Sequence, residues 1–392
     1  MKNRLMTIIK YFEFLYSLYY IIGGFVLRVL KLFVKTDDKL ILINCFGGKK
    51  YDDSPKVIYE AMLNDARFTE YKFVWSFHSP EKFCVKNADI IKTDTLKYFI
   101  TALKARCWIT NSAIERGLNF KGKHTLYFNT WHGTPIKKMG TDIPKTNKSF
   151  SKVARKSNID VFTVQGDFEA DVFSRVFHIN KENILKSGLP RNDRLSKYNS
   201  EYKEELKRKL NLPADKKIIF YAPTFREFER DSQRNCVLKP PIDLKRWEEE
   251  LKDKYCLLFR AHYEVGKVMR IQSNDFIKDM SDYPNLEDLM IASDMLISDY
   301  SSIFFDFSIM DKPMLHFTYD YEKYSAKRGL YFDVRQELSG CDNEKELISL
   351  LKNMDFQLES AKTAQFRNKY VNYFGNATEQ AIDCIYNHLV EN

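Results

Sequence analysis

Two short runs in the chain place proton-moving or phosphate-binding groups where an apolar stretch ends. In "WHGTP" (131–135), His132 is followed by Gly133 and Thr134. An imidazole titrates near neutrality, so it suits a general base that takes a proton from an attacking hydroxyl, a role worth ~10²–10⁴ in rate. The glycine lets a ligand approach the backbone. A core histidine bonded to a backbone carbonyl would read the same way locally. In "FRAH" (259–262), Arg260 and His262 stand two apart, and on extended backbone they share a face. Together they would clamp a pyrophosphate or stabilise a departing phosphate. A surface arginine beside a strand-end histidine is the plainer alternative.

A third run, "SDYSSIFFDFSIMDKP" (298–313), stops a strand, places Ser301 and Ser302, then starts a helix. Free N–H groups there, with the two hydroxyls, would receive phosphate oxygens. Asp299 repels a bare phosphate but would take a hydroxyl or an orienting hydrogen bond. Ordinary serine capping, worth ~1 kcal/mol, explains the same residues. Two weaker clusters follow the pattern: Thr224 and Arg226 in "YAPTFRE" (221–227), and Arg191, Asn192 and Asp193 in "SGLPRND" (187–193). No G-x-G-x-x-G, H-E-x-x-H or G-x-S-x-G occurs, and there is no D-x-D carboxylate pair for a nucleotide-bound metal. "GLNFKGKH" (117–124) approaches a phosphate loop, but His124 replaces Ser or Thr and the run precedes a strand instead of following one.

These groups need elements to hold them. From Lys39 short apolar strands alternate with helices: 40–46, 72–77, 89–92, 107–112, 124–129, 161–166 and 184–188. After the charged helix 200–212 the alternation restarts at 217–223, 255–262, 276–280, 295–300 and 313–317. Such alternation argues for parallel sheets covered on both faces. We therefore expect an α/β chain with two doubly wound, Rossmann-like domains at 37–205 and 206–374, a closing helix at 375–392, and a ligand cleft at the carboxyl ends of the strands. A long polar loop is expected over 226–241.

The 392 residues suit two domains, and 30 Phe with 23 Tyr supply large cores. The net charge of +9 points to an anionic partner, although no recognition helix or zinc pattern suggests nucleic acid. Seven scattered cysteines without a C-x-x-C pair fit reduced, buried thiols. Residues 1–36 differ in character. Six Lys or Arg oppose one Glu over Met1–Lys35, and the longest charge-free run, Phe14–Leu27, has 14 residues, short of the ~20 needed to span a bilayer. No small-residue cleavage site follows it. A helix, or a pair hinged at Gly23-Gly24, lying in an anionic membrane interface is expected.

"TWHGTPIKKMG", "PRND", "YAPTFR", "RAHY" and "SDYSSIFFDF", in this order, resemble the CDP-glycerol glycerophosphotransferase family, enzymes that prime or polymerise wall teichoic acid, with relatives in capsule synthesis. The first loop, "FGGKKYDDSPKVIYE" (46–60), is similar too, although Gly47-Gly48 stands where polymerase relatives carry His-Gly. The resemblance implies a GT-B fold and a metal-independent reaction without a cofactor. It implies CDP-glycerol as donor, a lipid-linked polyol-phosphate or glycan acceptor, and a peripheral location at the cytoplasmic membrane face. The family's catalytic histidine falls on His132 and its second histidine on His262, beside Arg260. Its phosphate loop falls on Asp299, Ser301 and Ser302, with Thr224 and Arg226 on the donor side. Gly47, Gly48, Gly133, Thr134, Arg191 and Asp193 would lie on the acceptor side or between domains. A CDP-ribitol or other polyol donor, a sugar-nucleotide glycosyltransferase of the same fold, and a non-catalytic membrane adaptor are the alternatives.

Overall fold

A computed structural model describes residues 13–143, 158–224, 226, 240–260 and 271–391, with 13–17 described by backbone alone. His262 and most of the polar loop 226–241 lie outside the described residues. Two sheets, parallel throughout, organise the chain. The first has the order β3-β2-β1-β4-β5-β6-β7. Its strands are β1 Asp37–Asn44, β2 Lys72–Phe77, β3 Asp89–Lys92, β4 Ala105–Thr110, β5 Leu126–Asn129, β6 Val161–Thr163 and β7 Ile184–Leu185. The second has the order β10-β9-β8-β11-β12-β13, from β8 Lys217–Tyr221, β9 Tyr255–Phe259, β10 Ile277–Asp279, β11 Met295–Ser298, β12 Met314–Phe317 and β13 Ser339–Cys341. Each order steps outward from its first strand and then reverses, which opens a crevice at the carboxyl edge of the sheet.

The central strands are apolar along their length because helices cover both faces. All six residues of β4 are buried, as are the last five of β1. The polar residues at the strand ends are the exceptions, and they are where the chain turns toward the crevice. β13 escapes sequence inspection because "SGC" has no apolar run. It is an edge strand, and a Cβ on Gly340 would lie 2.1 Å from the His316 carbonyl oxygen, so only glycine permits the pairing.

The closing helix, Ala377–Glu391, returns to the first sheet. Ala381, Ile382, Ile385 and Leu389 join the core built on Ile41, Cys107 and Phe128. Asp193, in the link between the sheets, caps this helix by accepting from the N–H groups of Ala377 and Thr378 at 2.9 and 2.8 Å. The helix Phe356–Tyr370 leads from the second lobe, and Asn372 N–H then donates to the Gln165 carbonyl of the first at 2.8 Å. The lobes are thus tied by two chain crossings.

At the N-terminus one helix runs over Glu13–Lys31 without a break, so the hinge expected at Gly23-Gly24 is absent. The glycines are instead a contact: a Cβ on Gly24 would lie 2.2 Å from the Leu118 carbonyl oxygen. Tyr20 and Leu27 share that side and join the first lobe's core. The opposite stripe, Leu18, Ile21, Ile22, Phe25 and Val29, is exposed, with Phe25 at 61%. Among the described residues no helix is long and apolar enough to cross a membrane.

Candidate active site

His132 follows β5, whose last residue, Asn129, accepts a hydrogen bond from Trp131 N–H at 2.8 Å. Trp131 then adopts φ +48°, which turns the chain out of the strand direction. The indole stacks on the imidazole with centroids 4.2 Å apart, and Phe46 closes on the ring from 5.5 Å. His132 Nδ1 lies 2.7 Å from the Asn111 carbonyl oxygen. A carbonyl only accepts, so Nδ1 carries the proton and Nε2 keeps its lone pair. Burial pulls the imidazole below its ordinary value; the Asn111 bond and Asp53 oppose this, while Arg191 adds to it. The ring is therefore neutral at physiological pH, with the tautomer that a base requires.

The imidazole opens into a cleft of about 940 Å³ between the lobes. Phe46, Asp53 and Arg191 line it from the first lobe, and Thr224, Arg260, Glu287, Ser301 and Ser302 from the second. The lobes nearly touch beside the base. Gly133 has φ +139°, and a Cβ there would lie 2.7 Å from Ser302 Oγ. Ser301 Oγ accepts from Ile303 N–H at 3.3 Å. The capping alternative therefore holds for Ser301, while Ser302 makes no side-chain cap bond. Arg260 follows β9 directly. Its Nη1 is buried without a partner, as is Thr224 Oγ1, and such orphaned polar groups require explanation. Burial lowers the Arg260 pKa, with Asp52 and Glu287 opposing. Glu287 is raised to about 7, chiefly by burial and further by Asp52 and Asp53, with Arg191 opposing. Among the described residues no group of three or more His, Cys, Asp and Glu is placed to hold a metal ion.

Several expected site residues lie elsewhere. Arg226 is 1% exposed and does not line the cleft. It pairs with Asp299 at 2.8 Å and with both oxygens of Asp320 at 2.8 and 2.9 Å, under the rings of Tyr300, Tyr319 and Tyr324. Asp299 is spent on this pair and on the N–H groups of Thr224 and Tyr300. The expectation that these two meet a donor phosphate is corrected: they fix the Thr224 and Ser301 loops from behind. Thr134 is likewise buried, accepting from Gln165 at 2.8 Å. Asp193 is the helix cap described above. Gly47 and Gly48 turn the chain after β1 with φ +64° and +90°. Gly47 faces a second cavity beyond Trp131, not the cleft.

Arg191 carries the lobe-to-lobe connection. It is 6% exposed and reaches Asp53 of the first lobe and Asp306 of the second, both at 2.8 Å. Asn192 donates to the other Asp306 oxygen at 2.7 Å, and Gln165 donates to it at 3.3 Å. A site role for Asp53, Asp306 and Glu287 was not read from the sequence, where Asp53 stands out only as a helix-capping candidate. The acid inside the apolar helix "IFFDFS" was the available signal for Asp306, since a lone carboxylate there demands a partner.

Comparison with known proteins shows the family. The family model for CDP-Glycerol:Poly(glycerophosphate) glycerophosphotransferase matches residues 26–387. A Staphylococcus aureus teichoic acid glycerol-phosphate transferase is 35% identical over 344 residues, 83% of this chain and 86% of that one. A Staphylococcus epidermidis teichoic acid poly(glycerol phosphate) polymerase is 36% identical over 334 residues, 81% of this chain but 46% of the polymerase. Among solved structures, the wall teichoic acid polymerase TagF superposes with a TM-score of 0.81 at 30% identity, over 100% of this chain and 99% of that chain.

Proposed function

Because the chain belongs to the CDP-glycerol:poly(glycerophosphate) glycerophosphotransferase family, we propose a reaction built from the residues of its own cleft. The protein is a CDP-glycerol glycerophosphotransferase of teichoic acid biosynthesis. The donor diphosphate lies along Ser302, Thr224 and Arg260, where the unpartnered Thr224 Oγ1 and Arg260 Nη1 await anionic oxygens. The acceptor hydroxyl comes from the first lobe to His132 Nε2. His132 takes its proton, the freed oxygen attacks the β-phosphorus, and the bond from that phosphorus to the bridging oxygen breaks. Glycerol phosphate is joined to the acceptor, and CMP leaves with the bridging oxygen. Fixed cations and N–H groups stabilise the charge on the transferring group, the main work in phosphoryl transfer.

The observation that carries this reading is the convergence of a neutral, Nδ1-protonated imidazole with the Ser302 loop across one glycine. His262 lies outside the described residues, and its donor-side role rests on the family resemblance alone. The acceptor is lipid-linked, and the apolar outer stripe of the N-terminal helix holds the enzyme against the cytoplasmic face of the membrane, where such an acceptor presents its head group. The test is incubation of the full chain with CDP-glycerol and a short lipid-linked glycerol-phosphate acceptor, reading CMP release and product length. CDP-ribitol and a UDP-sugar serve as competing donors. CMP from CDP-glycerol is expected. Release of UDP with no CMP would replace the reading with sugar transfer.

A further inference from the structure

Several carboxyl groups line the cleft, and most are engaged within the protein. Asp53 pairs with Arg191, Asp306 with Arg191 and Asn192, and Asp52 accepts from Asp53 N–H at 2.8 Å. Glu287 differs from them. It is 9% exposed and makes no ion pair among the described residues; the bond it accepts is from its own backbone N–H. Its sequence neighbour Asp288 turns the other way and meets Arg194 at 2.6 Å and Lys209 at 3.7 Å. A carboxyl buried without a cation requires either a partner or a proton.

The fold sets this group beside Arg260. β9 and β10 are neighbours in the second sheet. Arg260 follows the first, and the chain after the second enters the helix Leu286–Ala292, which carries Glu287. The two side chains therefore reach the cleft from adjacent strand ends, and each acts on the other's charge. They do not pair, since Arg260 Nη1 is buried without a partner. From the first lobe Asp52, Asp53 and Arg191 face the acid. On the far side of its helix Lys203 is spent on Asp294 and Lys207 on Glu204. Burial and the two aspartates push Glu287 up to about 7, with Arg191 opposing. A diphosphate laid along Arg260 adds negative charge and pushes the same way. An ionised carboxylate would repel that diphosphate, whereas a carboxylic acid donates a hydrogen bond to it.

We propose that Glu287 is a donor-binding residue that works as a carboxylic acid: it donates a hydrogen bond to a phosphoryl oxygen beside the Arg260 guanidinium, so the nucleotide donor binds together with one proton. The proton stays on the carboxyl throughout and is given back to solvent when the site empties. The inference rests on CDP-glycerol occupying the cleft. At saturating donor the diphosphate keeps the acid protonated through neutrality. The coupling therefore shows in donor binding, and the pH profile of turnover at saturation remains that of His132.

The test is calorimetric titration of CDP-glycerol into the full chain, without acceptor, in buffers of different ionisation enthalpy, which counts the protons taken up. At about pH 7.5 neither the disubstituted diphosphate nor the cytosine of the donor titrates, and His132 is already neutral. Uptake of roughly half a proton or more is expected in the parent and none in Glu287→Gln. The glutamine amide still donates, so that variant should keep its affinity within about threefold, while Glu287→Ala should bind about tenfold or more weakly. Thermal midpoints should match the parent in both. No uptake in the parent, or uptake that persists in Glu287→Gln, would overturn the proposal. So would a glutamine variant as weak as the alanine one, because an ionised carboxylate would then be accepting from a donor hydroxyl. CMP release with a lipid-linked acceptor is read separately. Proton-coupled binding without CMP release would count against the transferase reading and uphold the role of Glu287; CMP release without proton uptake would overturn that role alone.

Discussion

His132 illustrates how much one residue's surroundings decide. Its type and its place after a strand were readable in the sequence, but its protonation was not, because the Asn111 carbonyl that fixes the tautomer is 21 residues away. The physical consequence is a pH dependence. A base must be neutral to act, and burial holds this imidazole below the ordinary histidine pKa of 6.5. The log of kcat/KM should therefore be flat through neutrality and fall only as pH drops below that value, with a slope of one. An acid limb centred at 7 or above would show a ring stabilised in its charged form, contrary to the geometry. Arg226 shows the opposite case. An arginine after a strand invites a phosphate role, yet Asp299, Asp320 and the Thr224 carbonyl engage all three of its guanidinium nitrogens. Asp320 lies 94 residues away, so local spacing carried no hint of it.

At the scale of elements, the strands were legible because burial on both faces demands continuous apolar runs, and their carboxyl ends were where polar residues collected. β13 and the destination of the closing helix were not legible. The first is too short and polar to show a pattern, and the second depends on which lobe offers a matching groove. Most hidden was the element junction at Pro190–Asn192, where Arg191 meets carboxylates 138 and 115 residues away. Removing one partner from a buried, paired charge strands the others, a loss of roughly 3–5 kcal/mol. Arg191→Ala should lower stability by about that amount in denaturant titration, and limited proteolysis should then cut the link at 186–216 while both sheets persist. An unchanged midpoint would show that the two carboxylates find other partners and that the interlock is incidental.

At the scale of the whole molecule, two doubly wound sheets present their carboxyl edges to one another, and a helix with two apolar stripes is fastened to the first. One stripe, through Tyr20, Gly24 and Leu27, belongs to the core; the other faces outward. Replacing Ile22 and Phe25 with Glu should abolish sedimentation with phosphatidylglycerol vesicles and leave CMP release on a soluble acceptor unchanged. Sedimentation that survives both changes would place membrane attachment elsewhere. The central claim, however, concerns the cleft: a neutral imidazole from one lobe and the Ser302 loop from the other act on one diphosphate. The most direct test is CMP release from CDP-glycerol by His132→Ala, with circular dichroism and thermal midpoint measured on the same preparation. A loss of about a hundredfold or more in turnover with folding unchanged is expected; turnover near that of the parent, from an equally folded protein, would rule His132 out as the base.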